Sequence, residues 1–300
     1  DTKGDDPMDA PLSKIMSSAI TDSIDISMEE AESILRNKLR KKQLPLVDDK
    51  GRCAGLITLQ DIDLMKQSPN AAIDSKGRLL VAVALGLGDL IDRAEALYPE
   101  QPDIFVLDIA HGGMQKHLNA IRYLKQKYSI DVVAANVHEP DLVKRIRKEG
   151  ADGCRVGIGP GAVCTTRRNT GVGGSQLTAI LRCAQVAEDM PIIGDGGIRS
   201  GQDLAEAIAA GASSVMMGTA LAGTKETPGQ MIPLEDGTLA KKHFGMASDE
   251  ARMILQNLGQ AGFVKKDRLG TSPEGKEEVL PYRGEVGPII STFLGWLKST

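Results

Sequence analysis

"PIIGDGGIRSGQDLAEAIAAGASSVMMGT", Pro191 to Thr219, contains a short apolar run closed by G-D-G-G, an amphipathic helical stretch, and a second apolar run closed by G-T. Read by period and by turn residues, this is strand, helix, strand. The same alternation runs outward from it. Upstream, "LLVAVALG" (79–86), "IFVLDIAHG" (104–112), "DVVAANV" (131–137) and "DGCRVGIG" (152–159) read as buried parallel strands, as do "PIIGDGG" (191–197) and "SSVMMGT" (213–219). Helices are expected between them at 89–98, 116–128, 140–150, 173–189 and 200–211. Such alternation means a doubly wound sheet or a (β/α) barrel. Glycine and polar residues collect at the strand ends "DIAHGG", "GIGPG", "GDGG" and "MGT". Ligand loops after many successive strands favour a barrel, because an open sheet binds chiefly at its topological switch point. Six strands are legible, whereas a complete barrel has about eight.

Composition narrows the function. The 300 residues are 41% hydrophobic and 25% charged, with only 3% aromatics and 33 glycines, a balance suited to α/β enzymes with aliphatic strands and glycine turns. A net charge of −4 offers no basic field for nucleic acid or an anionic membrane, and the run Arg36 to Lys42 reads as a solvated helix end. No secretory leader is visible, and no apolar stretch approaches the roughly 18 residues of a membrane span. The four cysteines, Cys53, Cys154, Cys164 and Cys183, lack C-x-x-C spacing and neighbouring histidine pairs, which argues against zinc or a disulfide framework. A cytoplasmic or other reducing compartment is expected.

The first 75 residues have another pattern. After a polar tail (1–10), "SMEEAESILRNK" reads as a helix and "QLPLVDDKGRCAGLITLQDI" as a β-hairpin leading into a helix. Over about residues 11–66 this resembles the second half of a CBS-type regulatory module, which implies a binding place for a regulatory purine nucleotide. The expected organisation is a CBS-type module at 11–70 and a barrel catalytic domain at 71–300, with a mobile flap at about 231–280.

"GIGPGAVCTTRRNTGVGG", Gly157 to Gly174, surrounds a single thiol with six glycines. Glycine lets backbone approach a ligand closely, so this loop suggests ligand wrapping rather than packing. Cys164 is the candidate nucleophile; Cys53, Cys154 and Cys183 fall in strand or helix patterns and read as structural. A thiolate that adds to an electrophilic carbon forms a covalent adduct, which splits one hard step into two. Loop N–H groups can help lower the thiol's pKa.

"GPGAVCTTR", then "TGVG", then "DGGIRSGQDLAEAIAAGASSVMMGT" resemble the IMP dehydrogenase / GMP reductase family, over roughly residues 79–299. The resemblance implies a (β/α)8 TIM barrel with a CBS-type module inserted after its second strand. The present order then fits strands 3 to 8, preceded by the second half of the module, as in a piece of a longer protein. It further implies that a purine nucleotide is oxidised or reduced at C2 through a Cys164 adduct, with nicotinamide giving or taking the hydride, that Thr166 handles protons at the C2 substituent, and that Thr165 supports the backbone. Asp195 would accept the ribose hydroxyls. Gly197, Gly218 and Thr219 would present donors to the 5′-phosphate, where a helix dipole favours anions. Gly245 and Met246 would contact the nucleotide through backbone groups. Asp108 would face the cofactor, and carbonyls of Gly159, Gly161 and Cys164 would bind a monovalent cation, potassium in relatives. Two departures stand out: Ala162 replaces a common serine, and His243 with Phe244 precede Gly245 where relatives commonly carry tyrosine.

The direction of reaction rests on what attacks or leaves the adduct. In the dehydrogenases a flap Arg-Tyr pair positions water, but here Arg268 is followed by Leu269. "SPEGKEEVLPYRG" (272–284) is similar to the reductase ending, in which a glutamate partners the threonine; Glu274 takes that role. "AHGG" after the strand at 104–107 is likewise unlike the serine-rich turn of many dehydrogenases. The expected activity is GMP reductase, with NADPH as cofactor. The alternatives are an IMP dehydrogenase using NAD and a nucleotide-sensing relative without activity. Relatives of this family imply a homotetramer or octamer.

Overall fold

The computed structural model describes residues 11–74, 77–246, 248–257 and 275–300. It comprises two compact units, Asp1–Leu80 and Val81–Thr300.

In the first unit a short helix α1 (Leu12–Ile15) precedes strand β1 (Asp22–Ser23) and helix α2 (Met28–Ser33), which continues as a π-type turn over Ile34–Leu39. Strands β2 (Gln43–Val47) and β3 (Cys53–Thr58) form the expected hairpin and lead into α3 (Leu59–Gln67). β2 also pairs in parallel with β1. The D-D-K-G turn closes because Gly51 takes a φ of 71° and donates its N–H to Asp48 O at 2.9 Å. Two capping boxes, Ser27 with Glu30 and Thr58 with Asp61, satisfy the orphan amides that start α2 and α3. Ala31, Leu35, Leu44, Leu46 and Ile62 make the small core.

The second unit is built on six parallel strands, β4 (Ala82–Leu85), β5 (Ile104–Leu107), β6 (Asp131–Val137), β7 (Gly153–Val156), β8 (Ile192–Asp195) and β9 (Ser214–Met216). They stand side by side in sequence order, β4-β5-β6-β7-β8-β9. A doubly wound sheet reverses direction at its switch point; this one does not, so every crossover advances the same way, which is the winding of a (β/α) barrel. All six expected strands are present, trimmed where glycine and polar residues leave the ladder.

Helices α4 (Leu90–Leu97), α5 (Gln115–Lys127), α6 (Pro140–Lys148), α8 (Gln176–Ala187) and α9 (Gly201–Ala209) match the expected segments, with the short α7 (Thr166–Thr170) inside the cysteine loop. α8 starts three residues later than expected, because Gly173 has a φ of 111° that a helix cannot use. Phe105, Leu107, Ile121, Leu124, Val132, Ile146, Ile180 and Ile192 pack between sheet and helices. β6 is buried at six of its seven positions, as a strand covered on both faces must be.

After β9 come α10 (Thr219–Ala222), strands β10 (Met231–Pro233) and β11 (Leu239–Phe244), α11 (Asp249–Asn257), β12 (Glu277–Pro281) and α12 (Val286–Lys298). β10, β11 and β12 form an antiparallel sheet that sequence periodicity did not reveal. It occupies described parts of the expected 231–280 flap; residues 258–274 of that flap, Glu274 included, lie outside the described residues, as does the 1–10 tail. No helix among the described residues is long and apolar enough to cross a membrane.

Candidate active site

The chemistry-bearing residues gather where β5 to β8 end. Asp195 is the last residue of β8, and its carboxylate accepts the Asn136 Nδ2 donor at 2.7 Å from β6. Arg155 on β7 approaches the same oxygen, with Nε 3.1 Å from Asp195 Oδ2 as an ion pair, yet Nε has no hydrogen-bond partner. The Arg155 Nη2 group donates to Asp108 Oδ1, just past β5, and to Asn136 Oδ1 at 2.7 Å. Two carboxylates thus share one guanidinium, and the Asn136 amide links Asp195 to Arg155, across four adjacent strands. Burial holds Asp195 above the usual carboxylate range, against the pull of Arg155 and Asn136 and with a small push from Asp108.

Asn136 and Arg155 were not singled out from sequence. The signal was present: an Asn within "DVVAANV" and an Arg within "DGCRVGIG" interrupt otherwise buried runs, and buried polar groups require partners.

β7 and β8 come into register at this end through Gly157 and Gln176. Gly157 has a φ of 151°, and a Cβ there would lie 2.1 Å from Asp195 O, so only glycine fits. Gln176 Nε2 donates to Val156 O at 2.8 Å and to Asp195 O at 3.1 Å, joining the two strand ends.

The loop that follows carries Cys164 half-buried, its Sγ 3.4 Å from Thr166 Oγ1. Thr166 is buried at the start of α7. Thr165 stands at the N-cap position of that helix without a side-chain capping bond, and its Oγ1 accepts from the Asn169 side-chain amide at 3.2 Å. Three stretches converge on the cysteine. Gly275 forms an antiparallel bridge with Cys164, Lys276 N donates to Val163 O at 3.0 Å, and Gly245 N donates to Lys276 O at 3.2 Å. Gly245 packs so closely that an added Cβ would sit 3.2 Å from Val163 O. Met246 beside it is exposed.

The other thiols differ. Burial pushes Cys154 well above the ordinary thiol range and Cys183 up to about 12, so both are inert packing groups. Cys53 is exposed at the start of β3, a surface position rather than a core one.

Gly197 has a φ of 81° and lies beside Pro160 of the cysteine loop. Gly218, at the start of α10, has open space where a side chain would be, and Thr219 O and Ala220 O accept from Arg283 Nη1. His243 and Phe244 lie on β11, where burial lowers the His243 pKa and leaves its Nε2 without a partner. Asp108 keeps a carboxylate 43% exposed while Oδ1 engages Arg155, which leaves it open to a further hydrogen-bond donor. No cluster of His, Cys, Asp and Glu among the described residues could hold a metal. Of the three carbonyls expected to face a monovalent cation, Gly161 O already accepts the Cys164 N–H at 3.1 Å, which leaves it one lone pair for an ion.

Comparison with known proteins gives the constellation a family. Residues 55–300 match the model described as IMP dehydrogenase / GMP reductase domain. The chain belongs to that family. Residues 12–63 match the CBS domain model. Among curated IMP dehydrogenase / GMP reductase relatives, the inosine-5′-monophosphate dehydrogenase of Aquifex aeolicus is 41% identical over 96% of this chain and 59% of its own length. That of Chlorobaculum tepidum is 42% identical over 97% of this chain and 60% of its own. Among solved structures, a GMP reductase variant from Trypanosoma brucei in complex with guanosine 5′-monophosphate superposes with a TM-score of 0.82 at 36% identity, covering 96% of this chain and 59% of that one. The chain spans about three fifths of the length of these relatives.

Proposed function

We propose that this chain carries the catalytic half of a GMP reductase, which converts GMP, NADPH and a proton to IMP, ammonia and NADP⁺. The observation that carries the reading is the backbone bridge between Cys164 and Gly275, which brings the start of "GKEEVLPYRG" (275–284), part of the stretch similar to the reductase ending, onto the thiol loop. Cys164, as thiolate, adds to C2 of the purine. The amino group leaves as ammonia, taking a proton through Thr166 and Glu274, and the purine stays bonded to sulfur. NADPH supplies a hydride to C2 when bound beside Asp108. The C2–S bond then breaks, electrons return to the thiolate, and IMP is released.

Asp195 orients the substrate through its ribose hydroxyls, and Gly197, Gly218, Thr219, Gly245 and Met246 line the phosphate and base side. A monovalent cation, potassium by family likeness, fits the carbonyls of Gly159, Gly161 and Cys164. The 12–63 region takes a regulatory purine nucleotide, and the whole protein assembles as a homotetramer or octamer in a reducing compartment.

A second reading has its own support: the curated relatives at 41% and 42% identity bear the name inosine-5′-monophosphate dehydrogenase. That activity takes IMP, NAD⁺ and water to XMP and NADH. The test is nicotinamide absorbance on the full-length protein, with GMP plus NADPH in one cell and IMP plus NAD⁺ in another. Loss of NADPH in the first alone supports the reductase. NADH formation in the second alone overturns it, and silence in both with retained nucleotide binding supports a sensing relative.

A further inference from the structure

The Arg155 guanidinium lies between two carboxylates that serve different ligands. Its Nη2 group is committed to Asp108 Oδ1 and to Asn136 Oδ1. Its Nη1 has only the Met216 sulfur at 3.7 Å. Its Nε, beside Asp195 at 3.1 Å, is buried without a hydrogen-bond partner. An arginine whose side chain is only 11% exposed normally fills its five donors, so the idle Nε–H is a reserve facing Asp195. Asp108, four times as exposed at 43%, is the member of the trio that a ligand reaches most easily.

Building on the purine nucleotide reading above, we propose that Arg155 is a positioning residue that couples the two substrates, passing its hold from Asp108 to Asp195 when the dinucleotide engages Asp108. Ribose hydroxyls donating to Asp108 compete with Nη2 for the same oxygens. A guanidinium released there turns its unused Nε–H onto Asp195 on the adjacent strand β8. Asp195 is then held oriented and fully ionised, the state that accepts two ribose hydroxyls of the nucleotide. Dinucleotide binding therefore tightens nucleotide binding, and by linkage the reverse holds by the same factor. Asn136 keeps the arrangement on one track: its Nδ2 stays on Asp195 and its Oδ1 on Arg155 in either setting.

The experiment is equilibrium titration of GMP onto the full-length protein with and without saturating NADP⁺, a pair that cannot exchange hydride. The parent protein is expected to bind GMP about 5-fold or more tightly with NADP⁺ present, the lower end of ordinary coupling. In R155M both ligands still bind, each more weakly, and the ratio falls to near one. R155K restores the charge without the fork and recovers affinity for GMP but not the ratio. D108N is the control should the buried substitution unfold the protein. It keeps an acceptor oxygen but loses the charge, so the hold on Arg155 weakens, GMP binds more tightly than to the parent without NADP⁺, and NADP⁺ adds less. A ratio that survives in R155M, or GMP affinity unchanged in D108N, overturns the coupling while leaving the nucleotide reading intact. Failure of the parent to bind GMP at all overturns the nucleotide reading instead.

Discussion

Lys276 donates its backbone N–H to Val163 O at 3.0 Å, and this one bond fastens the stretch that follows Glu274 to the residue that precedes Cys164. Together with the Gly275 bridge to Cys164, it makes the thiol loop part of a small backbone ladder that extends to Gly245 and the β10-β11-β12 sheet. The proposed nucleophile is presented by the barrel loop and the β10-β11-β12 sheet at once.

Lys276→Pro deletes that donor and leaves the side chains of the proposed relay untouched. One lost backbone bond is worth about 1 kcal/mol, so turnover is expected to fall roughly 5- to 10-fold while GMP affinity, set at Asp195, holds. Steady-state kinetics with a parallel GMP titration separates the two. Unchanged turnover would mean the bridge has no part in presenting Cys164.

Thiol chemistry gives a second outcome. Cys164 is half-buried beside the Thr166 hydroxyl and Cys53 is exposed, whereas Cys154 and Cys183 are buried. Iodoacetamide followed by peptide mass mapping is expected to label Cys53 and Cys164 only, with GMP protecting Cys164 alone. Cys164→Ala should lower turnover by roughly 10³-fold or more, the scale of losing covalent machinery, with nucleotide binding kept. Residual turnover near the parent level would remove Cys164 from the chemistry.

On the proposed reading, Asp195 sets the acid limb of nucleotide binding. Burial raises its pKa, and ribose hydroxyls require the carboxylate, so GMP affinity is lost as pH falls through a value above the usual carboxylate range. Arg155 and Asn136 oppose that shift and Asp108 adds to it, so R155M moves the limb to higher pH and D108N to lower pH. Stability runs the other way: the folded protein holds this proton more tightly than the unfolded chain, so Asp195 contributes stability at low pH that is lost as pH rises through its folded pKa. GMP titrations across pH read the first effect, and chemical denaturation of the parent against Asp195→Asn reads the second. A limb that ignores both neighbours would contradict the network.

The barrel strands were legible because each is an aliphatic run buried on both faces and stopped by glycine, a pattern that needs no tertiary partner to recognise. Cys164, Thr166 and Asp195 could be singled out as candidates because they sit in local motifs. Asn136 and Arg155 were not, since their meaning lies in contacts 59 and 47 residues along the chain, to Asp195 and Asp108. The β10-β11-β12 sheet escaped for a similar reason. "MIP", "LAKKHF" and "EEVLP" are too short and too charged to alternate, and their pairing, such as His243 opposite Glu278, is defined only once the chain has folded back.

Gly157 offers a test of how strictly the fold positions the site. Its φ of 151° and the 2.1 Å gap to Asp195 O leave no room for a methyl group, and the backbone carbonyl it would strike belongs to the residue proposed to orient the substrate. Gly157→Ala must therefore push β7 and β8 apart at their carboxyl ends, where Gln176 now bridges Val156 and Asp195. Relief of that clash through a strained backbone costs on the order of 1–3 kcal/mol. Thermal unfolding should drop by roughly 2–4 °C for each kcal/mol in a domain of this size. The displacement also withdraws the Asp195 carboxylate from Asn136, so GMP affinity should fall more steeply than stability alone explains. Differential scanning calorimetry with GMP titration on the same variant checks both. A variant that is destabilised yet binds GMP as the parent does would show that Asp195 is held by its side-chain partners and not by the strand end.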